Sequence, residues 1–356
     1  MSTDRLDAAV LRLAIGLGLT TLIAYGLGLR VPFLACVLTI LMLWKAGPPI
    51  PLVKGAVMVI VIAAVLLAGV LMVPLLENYA LTGLMLTAVM LYAVFLRGAR
   101  HPGPMTSILA MAVTIIPAVG VFEQALVSLF SASFAVGIGI GVLVGVVTHV
   151  FFPDPPDAPP LAVAPTALGP EAARGQALQA TLVVMPAFVL ALTNPTLYVA
   201  IVMKSVMLGQ QASATHASSA GRDIVGSTLM GAWMAALVWG GLSMLANLWM
   251  LVLWIVAAAL WTGAKLFHVT RSSFSPWFWR NALVTMMILL GPAIEDSANG
   301  KDVYKASAIR VSLFIALSLY AWATVWVFEH WRASRSTATT LQRNERSPDA
   351  NAAAID

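Results

Sequence analysis

Two lysines interrupt apolar stretches at places where a cation could meet an anionic solute. Lys45 ends the stretch that begins at Pro32, PFLACVLTILMLWK, and Lys204 lies inside the stretch that begins at Pro195, PTLYVAIVMKSVMLGQQ. Ionisable side chains in apolar segments are costly, and those that are retained commonly line a pathway for a polar solute. Each lysine could therefore attract a carboxylate. The alternative is that each extends to the membrane interface as an ordinary cation near a helix end.

Two further residues flank Lys204 in the sequence and could bind an anion. Arg222, which Asp223 follows, begins an apolar segment, and Asn194 precedes the apolar run that contains Lys204. A guanidinium pairs well with a carboxylate. The alternatives are that Arg222 is a topology-determining arginine, that Asp223 complements the helix dipole, and that Asn194 is an ordinary turn residue.

Three titratable residues are candidates for proton coupling. Glu123 and Glu295 each follow a proline-bearing apolar segment at matching places in the two halves of the chain, and His149 lies near the end of an apolar run. Histidine has an intrinsic pKa suited to a proton relay. By count His149 lies deep in the predicted sixth helix. Otherwise the two glutamates are solvated loop carboxylates, as Asp296 is expected to be, and His149 is a hydrogen-bonded packing residue or lies at the cytoplasmic rim.

The sequence lacks the common signatures of an enzyme. There is no G-x-x-x-x-G-K-[ST], no H-E-x-x-H, no G-x-S-x-G and no Cys/His cluster, and the single cysteine, Cys36, lies in an apolar run. We therefore expect no ATP hydrolysis, no metal site, no cofactor and no enzymatic activity.

Composition identifies an integral membrane protein. The 356 residues are 60% hydrophobic and 10% charged, with a mean hydropathy of +0.91, whereas soluble domains are about 25% charged. The formal charge of +5 comes from basic residues between the apolar runs, where they act as topology determinants in contact with lipid. Nucleic-acid binding is excluded on this ground.

The apolar runs predict an all-α protein with about twelve transmembrane helices in two six-helix repeats. Residues 1–152 form the first repeat and 174–331 the second, a Pro-rich linker spans 153–173, and a polar, disordered tail spans 332–356. The predicted helices are 8–29, 32–46, 54–76, 80–97, 104–120, 126–152, 174–193, 195–209, 222–245, 247–267, 276–293 and 303–331.

The second helix of each repeat is predicted to be too short to cross a membrane. Residues 33–44 would reach about 18 Å, against a hydrocarbon core of about 30 Å, and 195–209 would be similarly short. Paired short helices in the two halves of a transporter indicate the substrate site, because their free backbone groups need a cavity or protein around them.

Charge placement predicts the orientation of the chain. Sixteen of the twenty Lys and Arg residues lie on the side of both termini, which places the termini in the cytoplasm. Six helices per repeat is an even number, so the repeats should run parallel. Gly137, Gly141 and Gly145 predict a tight helix crossing, either within the chain or between subunits of a homo-oligomer.

The stretch GRDIVGSTLMGAW resembles the repeat of the fusaric acid resistance and aromatic acid exporter (FUSC) family, with Arg222, Gly226, Ser227, Thr228 and Gly231 at its characteristic positions. The resemblance covers the membrane region. Long members carry a large cytoplasmic domain between the halves, which a short linker replaces here.

The FUSC resemblance implies a bacterial inner-membrane exporter of aromatic or other small organic acids. Such an exporter would be driven by the proton motive force and would have a periplasmic adaptor protein as its partner. The expected mechanism is alternating access around a cavity between the second and eighth helices. The alternative is a membrane scaffold, or an accessory subunit of an export complex, that transports nothing.

Overall fold

The described part of the chain forms twelve helices. The computed structural model describes residues 3–48, 50–154, 169–214 and 220–345, and within these ranges there is no β-strand. The helices are α1 (Thr3–Gly26), α2 (Pro32–Leu43), α3 (Leu52–Asn78), α4 (Ala80–Arg100), α5 (Pro104–Phe122), α6 (Gln124–Phe151), α7 (Pro170–Thr193), α8 (Pro195–Ala214), α9 (Gly221–Met244, whose first turn is π-helical), α10 (Leu248–Leu266), α11 (Pro276–Ala298) and α12 (Val303–Glu345).

This architecture confirms a polytopic all-α membrane protein. Ten of the described helices are long and apolar enough to cross a bilayer. Five helices, α2, α5, α7, α8 and α11, begin on a proline. Proline suits the first helical position because its missing N–H would have no partner there.

Two of the predicted segments differ from the structure at their ends. The helix α12 continues to Glu345, where a tail without structure was predicted from residue 332. The reason is local composition, since 332–345 contains neither Gly nor Pro, the two residues that disfavour a helix most. The predicted linker is shorter at its far end, because α7 already begins at Pro170. Residues 155–168 and 346–356 lie outside the described part of the chain.

The prediction of two matched short helices is correct for α2 and wrong for α8. The helix α2 has 12 residues, whereas α8 has 20, enough to reach about 30 Å. The polar residues after Leu208 do not end α8, because Gln211 is buried and donates from Nε2 to the carbonyl of Asp223 (2.8 Å).

The two halves of the chain pack in the same way. The helix α1 packs on α2 and α10, and its counterpart α7 packs on α8 and α4. Likewise α3 packs on α5 as α9 packs on α11, and α2 packs on α6 as α8 packs on α12. The pairs α1 with α10 and α7 with α4 join the two halves, and they are equivalent contacts.

Four helices form the centre of the molecule. They are α2, α5, α8 and α11. Each of α2 and α8 packs against both α5 and α11. All four are buried on nearly every side, whereas α3, α4 and α10 expose apolar side chains such as Leu71, Leu81 and Trp249. The peripheral helices thus present the apolar surface that lipid requires, and the central four are shielded from it.

The Gly-x-x-x-Gly pattern in α6 serves a contact within the chain. A Cβ added at Gly137 would lie 3.1 Å from the Cα of Ala35, and one added at Gly141 would lie 2.7 Å from the sulfur of Met42. Both neighbours belong to the first half of the chain, so these glycines let α6 approach α2 and its C-terminal end.

Candidate functional site

Lys204 is the most deeply buried cation in the centre of the molecule. It is the tenth of the 20 residues of α8, and its side chain is completely buried. Its Nζ donates to the Oγ1 of Thr285 (2.6 Å) and to the Oδ1 of Asn281 (3.2 Å). The lysine is therefore held by two neutral side chains of α11.

The two partners of Lys204 are themselves fixed by hydrogen bonds. The Nδ2 of Asn281 donates to the Oγ of Ser227 in α9 (2.6 Å), and the hydroxyl of Thr285 donates to the carbonyl of Asn281 (2.6 Å). The hydroxyl of Ser227 donates to the carbonyl of Ile224 (3.0 Å). We call Lys204, Asn281, Thr285 and Ser227 the lysine network.

The lysine network contains no counter-ion. Among the described residues, no carboxylate lies within ion-pair distance of Lys204, and its Nζ has two acceptors for three N–H donors. A buried ammonium without a nearby negative charge is costly. A bound carboxylate would supply both the missing acceptor and the missing charge.

Close packing of α9 on α11 sets the position of Thr285. A Cβ added at Gly231 would lie 2.5 Å from the Cβ of Thr285 and 2.6 Å from the carbonyl oxygen of Ala282. No side chain fits there, so the glycine at this position brings α9 within reach of the network.

A cavity of about 240 Å³ opens at one end of the central four helices. We call the end of the helix bundle at which the chain begins the basic face. The cavity lies at the other end, which we call the opposite face. The cavity is formed by the N-terminal ends of α2 and α8, at Phe33 and Pro195, and by the C-terminal ends of α5 and α11, at Val119 and Pro292. Helix N-termini carry partial positive charge and free N–H groups, and both favour an anion.

Five charged residues line the cavity: Arg30, Glu295, Asp296, Lys301 and Arg310. Asp296 and Arg310 form an ion pair, with Oδ2 of the carboxylate 2.7 Å from Nη2 of the guanidinium, and both side chains are buried. Asp296 is therefore not the solvated loop acid that its sequence context predicts, since it lies within α11 and pairs across to α12. The Oε1 of Glu295 and the Nη1 of Arg310 are buried without a hydrogen-bond partner, so polar groups remain available to a solute.

The cavity and the lysine network share one face of α8. Ala200 lines the cavity, and Lys204 follows it at i+4, which places the lysine one helical turn deeper on the same side. The step between them is about 6 Å. A solute at the cavity floor would thus lie one turn from the Lys204 ammonium.

The structure separates Glu123 from Glu295. Counted from the first residue of its helix, each is at the twentieth position, but α11 continues to Ala298 while α5 ends at Phe122. Glu123 is consequently in an extended conformation and exposed, and it does not line the cavity.

Lys45 does not occupy the position equivalent to Lys204. The tenth residue of α2, counted from Pro32, is Leu41, and Lys45 lies beyond the end of that helix. Lys45 is exposed on the basic face, with its Nζ 4.9 Å from the ring centroid of Trp44.

Arg222 lies at the basic face, away from the lysine network and the cavity. Its Nε is 3.7 Å from Asp223 Oδ1, its side chain is 59% exposed, and it stacks over Phe274 at 5.4 Å. Asp223 is buried and accepts from the hydroxyl of Ser275 (3.0 Å). Asn194 is exposed at the end of α7, immediately before Pro195 at the cavity rim.

His149 lies in the last turn of α6, at the basic face. Its Nδ1 accepts from Nη1 of Arg12 (2.7 Å), and its Nε2 is 3.7 Å from Asp154 Oδ2. The same Asp154 accepts from Nη2 of Arg12 (2.6 Å) and lies 3.6 Å from Arg5. This cluster joins the start of α1 to the chain after α6, and it is separate from the cavity at the opposite face.

Sequence reasoning missed Asn281, Thr285 and Arg310. Asn281 and Thr285 are neutral, and they lie 77 and 81 residues from Lys204 along the chain. Arg310 carried a signal, because it begins the apolar part of α12, RVSLFIALSLYAW, on the side with few basic residues.

Comparison with protein families gives a match in the first half of the chain. Residues 9–148 match a family described as "Protein of unknown function (DUF2955)". The matched residues fall within α1 to α6 and cover less than half of the chain. A search of curated proteins finds no match.

Proposed function

We propose that this protein is a bacterial inner-membrane secondary transporter that exports small organic acids, aromatic ones among them, at the expense of the proton motive force. The observation that carries the proposal is Lys204, a fully buried cation in the protein core whose described partners are all neutral. A transported carboxylate is the natural counter-ion for such a group.

The cavity at the opposite face supports this proposal. Its volume is about 240 Å³, which is below the range of about 300–1,000 Å³ for drug-sized ligands and restricts it to a small solute. Three basic residues, Arg30, Lys301 and Arg310, line it against two acidic ones, Glu295 and Asp296. Phe33 and Phe130 give it apolar walls. This combination suits an anion with an aromatic body.

The FUSC resemblance also supports the proposal. One of the residues that carry it, Ser227, belongs to the lysine network and accepts from Asn281. Another, Gly231, leaves space for Thr285. The residues shared with that family therefore position the group that we assign to substrate binding.

The mechanism that we propose is alternating access around the central four helices. The substrate carboxylate binds Lys204, the two repeats rearrange about α5 and α11, and the anion leaves through the cavity past Arg310. Glu295, whose Oε1 is buried at the cavity wall without a hydrogen-bond partner, exchanges protons with the periplasm. The positive-inside rule places the basic face in the cytoplasm, and a periplasmic adaptor would contact the opposite face.

The test is transport of radiolabelled benzoate and other aromatic acids into inside-out vesicles under an imposed proton gradient. Lys204→Gln should reduce the rate by about tenfold or more, because one charge-assisted contact contributes about 1.5–3 kcal/mol and 1.4 kcal/mol is tenfold. Lys54→Gln, which changes an exposed lysine at the basic face, is the matched control.

The rival function is a membrane scaffold or an accessory subunit of an export complex. The specific observation in its favour is that the lysine network joins α8, α9 and α11, which a purely structural lysine would also do. Wild-type vesicles that accumulate no aromatic acid under any gradient would favour this rival and sink the transporter proposal.

A further inference from the structure

Arg280 lies at the basic face, and none of the carboxylates that the structure describes forms an ion pair with it. It belongs to the second turn of α11 and is 2% exposed. Its Nε and Nη2 are buried without a hydrogen-bond partner, and no ion pair with Arg280 is found among the described residues. Buried guanidinium groups normally pair with carboxylates or phosphates, since they present several donors in a fixed fork.

Two tryptophans hold the Arg280 guanidinium. Its Cζ lies 4.1 Å from the ring centroid of Trp277 and 4.6 Å from that of Trp44, and the two ring centroids are 5.1 Å apart. The aromatic faces stabilise the positive charge, but they accept no in-plane N–H donor. The indole rings thus fix the orientation of the guanidinium and leave its donors available.

A second cation adjoins Arg280. The Nζ of Lys45 lies over the same Trp44 ring at 4.9 Å. Partial burial and the positive charge of Arg280 both lower the pKa of Lys45. Two like charges near one indole repel each other, and an anion bound close to both would offset that repulsion.

We propose that Arg280, Lys45 and the Trp44–Trp277 pair form an oxyanion-binding site at the basic face, which takes a carboxylate or phosphate group. It lies at the other end of α11 from the cavity and on a different helix face from the lysine network. The two sources of such a group are a small organic acid in solution and the headgroup of an acidic lipid at this surface. This proposal does not depend on whether the protein transports the anion that binds there.

The test is the thermal unfolding midpoint of the full-length protein in nanodiscs of neutral phosphatidylcholine, with chloride replaced stepwise by benzoate or inorganic phosphate at constant ionic strength. A ligand that binds only the folded state raises the midpoint with its concentration. The wild type should shift upward and Arg280→Gln should not. Lys45→Gln, which lies outside the helices, should need several-fold more ligand for the same shift.

Two variants separate this site from other anion effects. Lys265→Gln is the matched control, because Lys265 also lies over two tryptophans, Trp261 and Trp279, at the basic face, and it should shift like the wild type. Lys204→Leu should retain the part of the shift that depends on Arg280, which distinguishes this site from the transport pathway.

A separate measurement tests whether the headgroup of an acidic lipid is the ligand. If acidic headgroups occupy the site, phosphatidylglycerol nanodiscs should raise the wild-type midpoint without added anion, should abolish the benzoate shift, and should leave the midpoint of Arg280→Gln unchanged. Equal shifts in the wild type, Arg280→Gln and Lys45→Gln in both lipids would overturn the proposal, as would the absence of any shift in the wild type.

Discussion

The two repeats share one packing scheme but differ in chemistry. The lysine network is built on the second repeat, where Lys204, Asn281 and Thr285 occupy the tenth, sixth and tenth positions of α8, α11 and α11. Counted in the same way from the starting prolines, α2 and α5 carry apolar residues there, namely Leu41, Leu109 and Val113.

This difference shows that the fold does not require the lysine network. Leu41, Leu109 and Val113 are all buried, so the first repeat closes the same helix arrangement with aliphatic side chains. A well-packed apolar group is often as stable as a buried ionic one, or more so. The polar residues of the second repeat are therefore best explained by function, and the predictions below test that contrast.

Placing the aliphatic residues of the first repeat at the network positions of the second should have the largest effect on transport. The triple variant Lys204→Leu, Asn281→Leu, Thr285→Val carries the aliphatic residues of the first repeat at all three positions. We expect aromatic-acid transport in vesicles to fall to background and the unfolding midpoint to stay at the wild-type value or rise. The buried ammonium is gone, and the hydroxyl of Ser227 loses Asn281 but still donates to the carbonyl of Ile224. A triple variant that still transports would show that the difference between the repeats has no role in transport.

Glu295 and Glu123 offer a second contrast between the repeats. Glu295→Gln removes a titratable group from the cavity wall, and we expect the stimulation of benzoate transport by a proton gradient to be lost while gradient-free exchange persists. Glu123→Gln changes an exposed residue outside the cavity and should leave the stimulation intact. The measurement is the transport rate with and without the gradient, and equal behaviour of the two variants would remove Glu295 from the mechanism.

A substitution of one residue in the lysine network should lower the free energy of unfolding more than the triple substitution does. Asn281→Leu alone takes one acceptor from the buried Lys204 and leaves Ser227 without its donor. We expect a loss of about 3 kcal/mol, since an unsatisfied buried charge costs more than a neutral group. Reversible unfolding in mixed micelles would measure it. If Asn281→Leu were as stable as the triple variant, the network would contribute nothing to holding Lys204.

The contrast between the repeats also explains what the sequence could predict. Helix positions followed from apolar runs separated by proline and polar residues, and Lys204 was noticed because a charge interrupts such a run. Asn281 and Thr285 could not be found, because neutral polar residues carry no signal of what lies opposite them in space. Glu123 and Glu295 could not be told apart, since only the point at which each helix ends decides which one reaches the cavity.

A substitution where α9 closely approaches α11 should have the smallest effect, and it has the most closely matched control. Gly231→Ala would place a Cβ 2.6 Å from the carbonyl oxygen of Ala282, a backbone atom that cannot rotate away. We expect a loss of about 2 kcal/mol from overpacking and a reduced transport rate, because Thr285 must move away from Lys204.

Gly240→Ala is the control for Gly231→Ala. Gly240 belongs to the same helix, and a Cβ there meets nothing within 4 Å, so stability should be unchanged or slightly higher, since alanine favours the helix by about 1 kcal/mol. Thermal unfolding of both variants, alongside benzoate transport, separates packing from helix propensity. Equal stability of the two variants would mean that α9 and α11 can move apart without cost, and the position of Thr285 would then have to be set by its hydrogen bonds alone.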